Sequence, residues 1–153
     1  MTTNSKDTDN LQGSVIINTQ YIKDLSFENP RAPYSLMENE KPSINIDLDV
    51  KADHMNDDMF EVVISVSIGA TNDSTTFVID LSYAGLFTLT GVQDQSSKEV
   101  ILLVHCPNIL FPYVRRMISD ITRDGGFPPL MLSPVDFMGL YYARKNETYN
   151  EPN

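Results

Sequence analysis

At 153 residues and 41% hydrophobic composition, the chain suits a single domain with its own core, because a chain of this length buries roughly 68–70% of the surface its unfolded form exposes. Its longest apolar run, Val100 to Val104, is far short of the roughly 20 residues that span a bilayer, and Met1 to Asn10 carry no apolar signal segment, so a cytoplasmic protein without membrane insertion is expected. The net charge of −10 is concentrated between Asp24 and Asp80, with 12 acidic against three basic residues, which argues against a nucleic-acid binder.

In chain order, residues 1–12 read as a polar, disordered tail. Val15 to Leu25 alternates imperfectly, with Val15, Ile17, Thr19 and Tyr21 on one face, and predicts a strand ending at the turn-forming Glu28-Asn29-Pro30. Residues 29–42, with three prolines, are too long for a hairpin turn and too polar for the core, and predict a crossover loop. Ile44, Ile46, Leu48 and Val50 then alternate with Asn45, Asp47, Asp49 and Lys51, placing an apolar and an acidic face on one strand.

After a turn at Asn56-Asp57-Asp58, Phe60 to Ile68 places Val62, Ile64, Val66 and Ile68 on one face. A second turn, Thr71-Asn72-Asp73-Ser74, leads into Thr75 to Thr90, where Phe77, Ile79, Leu81 and Tyr83 alternate with Val78, Asp80 and Ser82, and where Gly85 signals a bulge or bend. Beyond Gly91 the period becomes helical. Asn108 to Asp124 carries Ile109, Tyr113, Met117 and Ile121 beside Leu110, Val114 and Ile118, with Asn108 as the cap, Pro112 in the first turn and Gly125-Gly126 as the stop. Ser133-Pro134-Val135-Asp136 predicts the start of a last helix bearing Phe137, Leu140 and Tyr141. The expected fold is α+β: a four-stranded antiparallel sheet, a meander with a crossover loop, packed with two main C-terminal helices. One domain then covers 13–145, and 146–153 form a disordered tail.

Chemistry is sparse. His54, His105 and Cys106, the only cysteine, have no ligand spacing, and adjacent residues such as His105 and Cys106 diverge on a helix or strand. Cys106 reads as a partly buried thiol before Pro107 rather than a nucleophile. There is no phosphate loop and no nucleophile elbow. Asp47 with Asp49, and Asp57 with Asp58, read as a solvated strand face and a polar turn, not as acid–base or calcium pairs. No catalytic residue, metal or cofactor is predicted. A sheet with two helices to cover it leaves apolar surface that needs another subunit or a ligand. On periodicity the row Phe77, Ile79, Leu81 and Tyr83 is core or interface, with core favoured.

Three local patterns are more specific: Tyr21-Ile22-Lys23-Asp24-Leu25-Ser26-Phe27-Glu28-Asn29-Pro30, then Cys106-Pro107-Asn108-Ile109-Leu110-Phe111-Pro112-Tyr113, and finally Gly126-Phe127-Pro128-Pro129-Leu130 with Pro134-Val135-Asp136-Phe137. In this order they resemble the SecB family of bacterial protein-export chaperones over nearly the whole chain. The resemblance implies an ATP-independent chaperone, not an enzyme, that holds unfolded precursor proteins and delivers them to the SecA translocation ATPase. It also implies a homotetramer built as a dimer of dimers. It assigns SecA binding to Asp24, Glu28, Val78 and Asp80. Phe77, Ile79, Leu81 and Tyr83 match positions that influence assembly, which turns that row from core to interface. Phe27, Ile44, Ile46, Leu48, Leu140 and Tyr142 match a substrate groove. Two rival readings are an oligomeric acidic adaptor docking one folded partner, and a small enzyme transferring protons through Asp80 or Asp136, which requires a deep pocket.

Overall fold

A computed structural model describes the backbone of residues 13–150 and the side chains of 13–147. Strands β1 (Ser14–Glu28), β2 (Ser43–His54), β3 (Met59–Asn72) and β4 (Ser74–Thr90) form one antiparallel sheet in the order β1-β4-β3-β2. The last three are the expected meander. Its turns pass through Asp57 and Asp73 with φ of 50° and 58°, left-handed conformations that a short polar side chain tolerates. β1 lies beyond β4, so residues 29–42 carry the chain from one sheet edge to the other. This crossover includes a 3-10 turn, Tyr34–Met37, and is fastened to the β3–β4 turn. Arg31 donates to the carbonyls of Thr75 at 3.1 Å and Asn72 at 3.3 Å and pairs with Glu38, while Asn72 donates to Glu38 at 3.2 Å.

The imperfect alternation of β1 has a structural cause. Its register against β4 shifts twice, between Ile17 and Thr19 and between Ile22 and Asp24, leaving Asn18 and Lys23 as extra residues. Each extra residue re-phases the strand. The side chains sharing the face of Leu89, Phe87, Tyr83, Leu81 and Ile79 are therefore Val15, Ile17, Ile22, Leu25 and Phe27, and Thr19 and Tyr21 turn to the other face. Gly85, by contrast, pairs regularly with Gln20 and Val62 and marks no bulge. A β-carbon there would stand 2.6 Å from the Phe87 ring and 3.0 Å from Leu110, so the glycine makes room for the core.

The helical region starts earlier than its periodicity indicates. α1 (Gln95–Val100), a π-helical stretch (Ile101–His105) and α2 (Cys106–Asp124) follow one another without a break. Asn108 is therefore not a cap, and Pro112 lies inside the helix. The wide turn accommodates this: the Cys106 N–H reaches back five residues to the Ile101 carbonyl, and Pro107 follows with no N–H to place. The buried stripe of α2 is Leu110, Phe111, Val114, Ile118 and Thr122, while Ile109, Met117 and Ile121 are half-buried. Gly126 takes a φ of 90°, and at Gly125 a β-carbon would meet the Phe27 ring, so the two glycines stop the helix for different reasons. α3 (Phe137–Asn150) begins one turn later than Ser133 predicts. Its cap is Asp136, which accepts from the Gly139 N–H at 3.0 Å. The helix continues through 146–150, where a tail was expected; the tail residues 1–12 and 151–153 lie outside the described residues.

The helices cover one sheet face. Val62, Ile64, Val66 and Ile68 of β3 and the alternate residues of β4 pack against Leu102, Val104, Leu110, Val114 and Ile118. Cys106 is fully buried here, and burial pushes its thiol up to about 12, which keeps it unreactive. Gly85→Val should destabilise the fold by about 1–3 kcal/mol through overpacking. Urea denaturation reads this as a lower midpoint at unchanged slope.

Candidate functional site

Strand register assembles the uncovered face. Reading from β2 to β1, Asp49, Ser65, Ser82 and Asp24 lie in one transverse row. Asp47, Ser67, Asp80 and Ser26 form the next, and Asn45, Gly69, Val78 and Glu28 the one after. Opposite residues of an antiparallel pair share a face, so all four residues matched to SecA binding, Asp24, Glu28, Val78 and Asp80, lie together. Asp47 and Asp49 join them from the far edge. Four aspartates surround a serine floor in an open hollow of about 470 Å³, where the Ser65 and Ser82 hydroxyls meet at 3.2 Å. Asp24 reaches this face because of the bulge at Lys23; a regular strand would turn it into the core.

Next to the hollow, Glu61 on β3 binds two side chains from β1 across the intervening strand. Tyr21 donates its hydroxyl to one carboxylate oxygen and Lys23 donates to the other at 2.9 Å. Burial and the carboxylate push Tyr21 up to about 12, while the Tyr21 hydrogen bond and Lys23 hold Glu61 below its usual range. These bonds fasten the bulged part of β1.

The groove residues do not form one continuous site within the chain. Ile44 and Ile46 are 40% and 45% exposed on the helix-bearing face of β2, whose outer end the helices leave open. Leu48 is half-buried beside them. Phe27 ends the same transverse row as Ile46, running Phe27, Ile79, Ile68, Ile46, but from the opposite edge, three strand spacings or roughly 14 Å away. There its ring lies 6.1 Å from Phe77, which lies 4.9 Å from Phe127. Leu140 lines a separate hollow of about 210 Å³ with Val50, Leu103, Phe137 and Tyr141. Tyr142 is exposed and outside that lining.

Phe77, Ile79, Leu81 and Tyr83, matched to assembly, are between 0 and 8% exposed in the single chain. They form the core between sheet and helices, and Tyr83 stacks on Tyr113 at 6.0 Å. Within the single chain they are core, as their alternation favours. Sequence reasoning passed over exposed Tyr34, Leu36 and Met37 on the crossover, and over Arg144, which pairs with Asp49. An exposed apolar cluster in a polar loop was the available signal; the Arg144 contact, made across 95 residues, left none.

Among the described residues no histidine, cysteine or acidic cluster could hold a metal. His54 is occupied with the Asp57 carbonyl at 2.6 Å. Asp80 is exposed on an open sheet and Asp136 caps α3, so neither has the deep pocket that proton-transfer chemistry needs. Among the described residues no helix is long and apolar enough to cross a membrane.

The sheet thus leaves two unlike surfaces free, an acidic face and the uncovered part of its apolar face. The model of the family described as preprotein translocase subunit SecB matches residues 8–148. The protein-export protein SecB of Acidiphilium cryptum is 46% identical, covering 88% of this chain and 91% of its own; that of Maricaulis maris is 51% identical over 82% and 73%. That of Rickettsia akari is 40% identical over 98% and 100%. A SecB-like chaperone from Mycobacterium tuberculosis, solved with a ChAD peptide from an antitoxin, shares the fold at a TM-score of 0.64 and 21% identity, over 80% of this chain and 88% of that one. The chain belongs to the SecB family of protein-export chaperones.

Glu61→Gln should loosen the β1 end of the acidic face and lower stability by about 1.5–3 kcal/mol at neutral pH, since hydrogen bonds to a charged group contribute about this much. Because the folded-state value of Glu61 is depressed, its contribution is complete above the unfolded value of 4.5 and disappears as pH falls through the folded value. Denaturation at a series of pH values should therefore show wild type and Glu61→Gln converging in acid.

Proposed function

We propose that the chain holds unfolded secretory precursors in the cytoplasm without ATP and passes them to the SecA motor. The observation that carries this reading is the separation of two unlike surfaces onto opposite faces of one sheet. Ile44 and Ile46, with the exposed crossover residues Tyr34, Leu36 and Met37, offer apolar area to an extended chain. Burial of such area is worth about 25 cal/mol per Å² and is non-directional, so it favours unfolded chains of many sequences. A folded protein keeps its matching surface inside. The M. tuberculosis chaperone of this fold, solved with a peptide, supports the same use. Asp24, Glu28 and Asp80, joined by Asp47 and Asp49, suit a basic segment of SecA, with Val78 supplying an apolar contact.

Assembly as a dimer of dimers follows from β1. This 15-residue edge strand exposes Val15, Ile16, Ile17, Ile22 and Leu25, a combination that calls for cover by another subunit. Assembly therefore belongs to β1 rather than to the buried Phe77 row. In the tetramer, neighbouring chains bring the separate apolar surfaces into one groove.

Two measurements test this function. A chemically unfolded secretory precursor, refolded without ATP beside a stoichiometric amount of the protein, should be arrested, while the folded precursor is not bound. Unchanged refolding would leave an acidic adaptor for one folded partner as the function. Changing Asp24 and Asp80 together to Lys should weaken SecA binding about tenfold or more, because like charges at an interface are costly, and leave precursor capture intact. Equal loss of both refutes the division of labour between the faces.

A further inference from the structure

Asp49 lies on the acidic face of β2, where it borders two hollows, one with Asp24 and Asp80 and one with Lys51 and Glu61. Val50, the next residue, turns its side chain the other way, into the 210 Å³ hollow walled by Leu103, Phe137, Leu140 and Tyr141. Arg144, midway along α3, reaches both. Its Nη1 donates to the Val50 carbonyl at 2.9 Å, and its Nη2 pairs with the Asp49 carboxylate. One side chain thus wraps the free edge of the sheet and ties a wall of this hollow, whose rim also carries Glu99 and Lys145, to a carboxylate of the acidic face. From 142 to 147 α3 is exposed, so packing contributes little to holding this part of the helix in place.

We propose that Arg144 is a positioning residue that makes docking on the acidic face and retention of a client compete. A Lys- or Arg-rich segment arriving on the acidic face takes Asp49 and displaces the guanidinium. The last turns of α3 then separate from β2, and the hollow around Leu140 and Tyr141 loosens its hold on a client side chain. Both partners are well exposed, 45% for Arg144 and 60% for Asp49, so the pair is weak and one cation replaces another easily. Linkage makes the effect mutual: a client seated against α3 lowers affinity for the basic segment by the factor with which that segment lowers affinity for the client. This inference rests on the docking reading proposed above.

The test uses the full chain in its native assembly, a Lys- and Arg-rich peptide of about a dozen residues, and an unfolded precursor as client. Arg144→Gln should bind the peptide about two- to fivefold more tightly than wild type, the range an exposed pair allows, and its precursor should no longer leave faster when the peptide is added. Arg123→Gln, which makes the same charge change on α2, should do neither. In an Asp49→Asn background, Arg144→Gln should bring no further gain in peptide affinity. A helix that was merely destabilised would not gain affinity for a peptide bound on the opposite face. Equal behaviour of Arg144→Gln and Arg123→Gln, or precursor release from wild type that ignores the peptide, overturns the inference while docking stands. Failure of wild type to bind the peptide overturns the docking reading and this inference with it.

Discussion

Successive side chains of a β-strand point to opposite faces, and the organisation of this molecule depends on keeping that alternation in phase across four strands. In β2, β3 and β4 the phase is kept over long stretches by the aligned register, so apolar residues face the helices while serines and aspartates face away. β1 keeps it only by inserting Asn18 and Lys23 as extra residues. Without the second insertion Asp24 would share a face with Tyr83, and Phe27 would leave its aromatic neighbours. The β1 side of the acidic face and the place of Phe27 in the aromatic cluster thus have a common origin in one bulge, which the Tyr21 and Lys23 bonds to Glu61 hold in place.

Because helices cover one face only, the two faces have different energetics. The helical layer buries Phe77, Ile79, Leu81 and Tyr83 completely or nearly so, which stabilises the chain, but it stops short of Ile44 and Ile46. The other face contributes little to the core, chiefly Val63 and Ala84. Asp24, Asp47 and Asp80 stand in water there, where repulsion among them is screened over roughly 8 Å at physiological salt, and they remain available to an arriving cation. Stability therefore comes from the middle of the sheet, and the surfaces proposed for binding are its margins and its bare face.

Elements with one dominant period were legible in the sequence. The β2–β3–β4 meander could be read with its turns at Asp57 and Asp73, because a period of two and turn-forming residues coincide there. β1 was legible as a strand but not in its phasing, since an inserted residue resembles noise in the alternation. The helix start at Gln95 was hidden because Pro107 and Pro112 look like helix boundaries unless a π-turn is allowed for. Placement of Asp24, Glu28, Val78 and Asp80 on one face could not be read from β1 and β4 separately; it required their pairing. Arg144 was invisible for the same reason, as its partners lie on a strand close by in space and 95 residues away in the chain.

Incomplete cover also bears on how firmly a client is held. A surface that buried its client as fully as the core buries Ile79 would release it slowly, since most differences in affinity appear in the dissociation rate. Ile44 and Ile46 are half-covered by their own sheet, and the hollow at Leu140 measures about 210 Å³, room for a side chain but not for a folded element. On the proposed function each contact is therefore small, and retention depends on a client spanning several of them at once. Only an extended chain satisfies several separated contacts together, and it loses them as soon as it folds or is drawn away. Selectivity for the unfolded state thus comes from the distance between the patches as much as from their apolar character.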